Sequence, residues 1–253
     1  MKALIHYEFR KTRTAKLIVL GITLVLELGF LLGIAVGEGS RWAADLMGTT
    51  AVFLVLAAMA GTMFIGIQSV VTLHRDMNTK QGYMLYMTPR NSYQILGAKV
   101  LENGLSLLLA GAAFFLLGLL DVTLLFSRVG ELEKLWEAAR QFMQMLGSEV
   151  EINVQGVAAL VFSMLCSWLA TISIAYLADI LSSALLNGKK FNGLISFLFF
   201  VLLSLLMSWL QRLIAPTNLA SVSTLMIQAV TALVYATGMY FAAAYLMDHY
   251  LSV

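Results

Sequence analysis

Six runs of predominantly apolar residues, at about 17–36, 46–73, 103–126, 155–181, 191–214 and 222–247, take up most of this chain and restrict its fold more than any other feature. A bilayer's hydrocarbon core is about 30 Å thick, and a helix needs roughly 20 residues to cross it. Each run is long enough, and the second and fourth exceed the minimum, so they are expected to tilt or protrude. Lipid cannot satisfy exposed backbone groups, and the runs lack the two-residue alternation of barrel strands, so helices are the expected form. With 60% hydrophobic and 12% charged residues and a mean hydropathy of +0.86, a soluble domain of 253 residues could not bury this surface in one core. The expectation is an all-α integral membrane protein, a single transmembrane domain over 1–253. Sixteen mostly polar residues precede the first run and no small-residue cleavage pattern follows it, so the N-terminus is expected to be retained.

Lysine and arginine set the orientation. With the N-terminus inside, the inner segments hold Lys2, Arg10, Lys11, Arg13 and Lys16, then Arg75, Lys80, Arg90 and Lys99, then Lys189 and Lys190, 11 in all. The outer segments hold 5: Arg41, Arg128, Lys134, Arg140 and Arg212. Both termini are therefore expected in the cytoplasm, in a bacterial cell membrane. A net charge of +2 does not suggest nucleic acid, and the single cysteine, Cys166, lies within an apolar run with no disulfide partner.

Three segments between or beside the spans carry pattern. The first, MKALIHYEFRKTRTAK, places Met1, Leu4, Ile5 and Phe9 on one broad arc, with bases towards its end. That suits an interfacial helix on the inner leaflet, or a basic tail that fixes topology. The second, GELEKLWEAARQFMQML, is amphipathic, with Leu132, Leu135, Trp136, Ala139, Phe142, Met143 and Leu146 opposite Glu131, Glu133, Lys134 and Glu137. It could cover an outer mouth or pack over the span ends.

The third is the polar interruption at 73–101, LHRDMNTKQGYMLYMTPRNSYQILGAKVL. A helical stretch from about Arg75 to Met87 would stop before Pro89, because a residue preceding proline disfavours helix. Gly82 permits close approach of another backbone, and Tyr83, Met84, Tyr86 and Met87 form a dense adaptable cluster suited to a partner groove. Packing against the protein's own spans is the other use for such a surface.

The order Arg75-Asp76, Gly82-Tyr83-Met84-Leu85, Thr88-Pro89 and Gly97-Ala98-Lys99 resembles the cytoplasmic loop after the second span in permeases of type 2 (export-type) ABC transporters. The sharp motif covers about 25 residues, while the six-span layout and the basic amphipathic start extend the resemblance over nearly the whole chain. It implies that this loop carries a coupling helix docked in a groove of a separate ATPase, with Arg75, Asp76, Gly82, Tyr83, Met84, Leu85, Tyr86 and Pro89 as the coupling residues. It also implies that the first sixteen residues form an elbow helix. ATP and Mg would be held by the partner, because the chain has no G-x-x-x-x-G-K-[ST] loop. The expected assembly is a homo- or heterodimer of permease subunits with two ATPases, exporting a hydrophobic or amphipathic peptide, lipid or drug.

Glu27 lies in the middle of the first span, where a carboxylate costs about 2.5–3.5 kcal/mol on insertion scales. It is a candidate for the conduit or for an interhelix contact, with Gln68, Ser69 or Ser173 as expected partners. Glu102 and Asp121 lie near opposite ends of the third span and can reach an interface. Small residues at Ala57, Gly61, Gly66, Gly111, Gly118, Gly238 and Ala242 are expected to allow close helix approach. No H-E-x-x-H or G-x-S-x-G signature occurs, and His6, His74 and His249 are far apart and fall at span edges, so no catalytic or metal site is expected. The competing readings are an ion-coupled secondary transporter, an intramembrane enzyme, which would need paired polar residues at membrane depth, and a non-transporting sensor or assembly component. The first would normally show a repeated layout and more midplane charge, and the two halves do not look alike.

Overall fold

The computed structural model describes residues 2–36, 40–78, 91–129, 137, 154–186, 192–214 and 222–250, and is helical throughout them except at Ser40 and Asn91. Six long helices follow in order: α1 (Lys2–Val36), α2 (Arg41–Asn78), α3 (Ser92–Val129), α4 (Val154–Leu186), α5 (Asn192–Ile214) and α6 (Val222–Tyr250). Each contains a stretch long and apolar enough to cross a membrane. Ser40 and Asn91 occupy the N-cap positions of α2 and α3, and their carbonyls accept the first helical hydrogen bonds from Ala43 (3.0 Å) and Ile95 (3.2 Å). Both are residue types that favour the turn into a helix.

The helices are longer than the apolar runs require. At 1.5 Å per residue, the 38 residues of α2 extend about 57 Å, nearly twice the hydrocarbon thickness. α2 outruns its apolar run by five residues at each end, while most of the excess in α1 and α3 lies at one end of the bundle. The expected elbow is not set apart there, since Lys2–Val36 is one unbroken helix. Its charged inner turns find partners on α2 and α3, so the chain has no need to bend away from the bundle to solvate them.

Successive helices run in alternate directions. Gly29 lies against Thr50, Gly33 against Met47, and Gly61 against Val19, which fixes α1 and α2 as an antiparallel pair. α3 begins where α6 ends, with Ser92 hydrogen-bonded to Asp248. The start of α1 and the end of α6 therefore share one end of the bundle, called here the proximal end, with the end of α2 and the start of α3.

The core is built around α4, which packs most extensively on α6 and also on α5, α2 and α3. Tyr176, Ile174, Ile180, Ala170 and Ala178 are fully buried, and Ala229, Ala232, Ala236, Ala243 and Ala244 of α6 meet this face. Between membrane helices the lipid is as apolar as leucine, so packing of small residues drives association. Cys166 is part of this seam. Of the expected glycine contacts, Gly61 and Gly66 are real: a Cβ on Gly66 would come within 2.7 Å of the Trp168 ring. Gly111, Gly118 and Gly238 face open space, so a stripe of small residues in the sequence is not by itself a packing seam. The outward face is apolar, with Val25, Leu28, Phe115, Phe197 and Leu205 all more than half exposed. An apolar surface of this extent suits lipid and not water.

Candidate functional site

At the proximal end, α1, α2 and α3 meet in a buried ionic junction. Helical spacing assembles it. Glu8, Lys11, Thr12 and Lys16 recur at three- and four-residue steps on one face of α1, and Lys99, Glu102, Asn103 and Ser106 do the same on α3. Asp76, from the last turn of α2, comes between them.

Lys99 is the hub. Its Nζ donates to Glu8 Oε1 at 2.9 Å and to Asp76 Oδ2 at 2.7 Å, and its side chain is only 2% exposed. Lys11 donates to the other oxygen of Asp76. A second group adjoins the first, in which Glu102 Oε1 accepts from Lys16, from Thr12 Oγ1 at 2.7 Å and from Ser106 Oγ at 3.1 Å. Three carboxylates face three ammonium groups, so the junction is internally neutral. That balance, together with the hydroxyl donors, is what makes buried charge tolerable, since each unpaired ion would cost several kcal/mol.

Further polar contacts join this junction to α4 and α6. Asn103 accepts from Trp168 Nε1 at 2.9 Å, and its amide points to the Ile65 carbonyl at 3.4 Å. Ser69 and Tyr176 are hydrogen-bonded, and His74 Nδ1 lies 2.8 Å from Asp179 Oδ1. Tyr240 donates to the Tyr93 carbonyl at 2.6 Å, tying the start of α3 to α6.

The expected coupling residues fall into two sets. Asp76 is 4% exposed and turned into the bundle, whereas its neighbour Arg75 is on the surface. Any contribution of Asp76 to a partner contact must pass through the junction. Gly82, Tyr83, Met84, Leu85, Tyr86 and Pro89 lie outside the described residues. α2 ends two residues after Asp76 and α3 begins seven residues before Lys99, so the helix ends on either side of that segment are tied by the same ion pair. Of the outer amphipathic segment only Glu137 is described, and it is exposed.

Glu27 does not reach its expected partners. Ser69 is taken by Tyr176, and Ser173 donates to the Leu169 carbonyl at 2.8 Å. Gln68 lies beside Thr12, Ala15 and Glu102, near the proximal end. The antiparallel register explains this, because Gly29 meets Thr50, and Glu27 is therefore level with the far part of α2 and not with residues 68–69. It faces Asp121 of α3 instead.

The sequence reading used Lys11 and Lys16 only to set orientation and Glu102 only as able to reach an interface, and gave Glu8 no part. A signal was present in the charged residues repeating at three- and four-residue steps at the helix ends. Among the described residues no group of three or more histidine, cysteine or carboxylate side chains gathers as a metal site. Comparison with known proteins returns no matching family model, curated protein or solved structure.

Proposed function

We propose that this chain is the membrane-spanning subunit of an ATP-driven exporter of the type 2 ABC class, with the segment around 79–90 as the docking element for a separate ATPase. One observation carries the reading. Both ends of that segment emerge from a buried ion-pair junction that joins α1, α2 and α3. A push on the segment would thus be delivered to three spans together, as a rigid displacement and not as local flexing. The six spans, the shared end for both termini and the order of motif residues from Arg75 to Lys99 agree with it.

In this reading the proximal end faces the cytoplasm of a bacterial cell, and two permease subunits, identical or homologous, enclose a path at their seam. ATP and Mg bind the ATPase. The substrate is hydrophobic or amphipathic. The Glu27–Asp121 pair also favours a second reading, ion-coupled secondary transport, which needs no ATPase.

The test is a double change, Tyr83→Asp with Met84→Asp, in the subunit reconstituted with its ATPase. Insertion and folding are expected to persist while transport and substrate-stimulated hydrolysis are lost. Undiminished transport by the variant would sink the docking assignment.

A further inference from the structure

A groove of about 460 Å³ runs between α1 and α3, open to the lipid side of the bundle. That volume is in the range that holds a drug-sized ligand. From Ser106 to Leu120 its α3 wall extends about 21 Å at 1.5 Å per residue. Leu24, Ala113, Phe114 and Leu117 make it apolar. Lys16 and Ser106 at its proximal end are both bonded to Glu102, so that end offers no free charge.

The other end is different. Glu27 lies one turn beyond Thr23 and Leu24, and Asp121 one turn beyond Leu117, so both carboxyl groups continue the faces that wall the groove. The two face each other and interact electrostatically. Glu27 is 5% exposed, yet apart from the carboxyl groups facing each other neither of its oxygens nor Asp121 Oδ1 has a hydrogen-bond partner. Among the described residues no cationic side chain is paired with them. Buried polar atoms are normally satisfied, and orphaned ones call for a missing partner.

We infer that the groove and its acidic end form a binding site for a single-tailed amphipathic cation, the tail lying between α1 and α3 and the cationic head between Glu27 and Asp121. The inference names a substrate class and in that respect rests on the exporter reading. Charge complementarity selects the occupant. A neutral tail would fill the groove but leave the two acids with only each other as partners, and a phospholipid would bring a phosphate towards them.

The experiment measures equilibrium binding to the purified protein in phosphatidylcholine nanodiscs, corrected for partition into protein-free discs. The probes are dodecyltrimethylammonium, uncharged dodecanol and tailless tetramethylammonium. The cationic amphiphile is expected to bind about tenfold tighter than dodecanol, the usual scale for a buried charged contact. Glu27→Gln with Asp121→Asn should bring that ratio to one, and Ala113→Phe should weaken both tailed probes. A wild-type ratio near one, a ratio unaffected by the double change, or tetramethylammonium binding as tightly as the amphiphile would each overturn the inference. If the double variant does not purify folded, the wild-type ratios decide alone. ATPase recovery is scored on the same preparations. A bound ATPase with no charge preference removes only this site, whereas charge-selective binding with no ATPase removes the exporter reading and leaves the site.

Discussion

Lys99 holds two carboxylates from two other helices, and its place in the sequence gives little hint of that. Glu8 is 91 residues away and Asp76 is 23. In the sequence these lysines and acids read as topology signals and solvent-facing ends, because charge that is paired through the fold looks no different from charge that is solvated. The helical spacing of Lys99, Glu102 and Ser106 was legible, but the partners were not. The physical consequence is testable. Lys99→Met leaves Glu8 and Asp76 buried together without a cation, and removing one partner of a buried pair costs about 3–5 kcal/mol. The variant should melt well below the parent, and adding Glu8→Gln and Asp76→Asn should recover most of the loss. Equal melting of Lys99→Met and parent would mean that the junction is solvated and carries no load. Tyr176→Phe should have a smaller effect, about 1 kcal/mol, because it strips Ser69 of one neutral hydrogen bond.

The helices themselves were largely readable. Runs of twenty or more mostly apolar residues leave a chain in lipid no alternative to helix, so all six were expected, in order, and apart from α2, which starts five residues early, their far ends agree closely. What hydropathy could not supply was the proximal extension of α1, α2 and α3, where helix continues through charged sequence because neighbouring helices neutralise it. Nor could it tell which glycines pack. Gly66→Leu drives a branched side chain into the Trp168 ring and Ile172, and a loss of about 1–3 kcal/mol is expected from overpacking. Gly118→Ala meets nothing within 4 Å and should be neutral or slightly stabilising, since glycine in a helix interior is inferior to alanine by roughly 0.5–1 kcal/mol. Thermal melts of the two variants in one detergent distinguish them, and equal losses would contradict the packing described.

At the scale of the bundle, ion pairs between helices gather at the proximal end, where Lys11, Lys16, Lys99 and His74 each meet a carboxylate. Such a body is stiff where the 79–90 segment attaches and is held farther out mainly by side-chain packing. That asymmetry is what a subunit moved from one side needs. The first measurement to make is purification of this protein from its native membrane in mild detergent, with the co-purifying chains identified. A stoichiometric ATPase, retained by the parent and lost from the Tyr83→Asp/Met84→Asp variant, is the expected result. A clean preparation with no ATPase, able to transport alone in liposomes, would contradict the exporter assignment and put ion-coupled transport in its place.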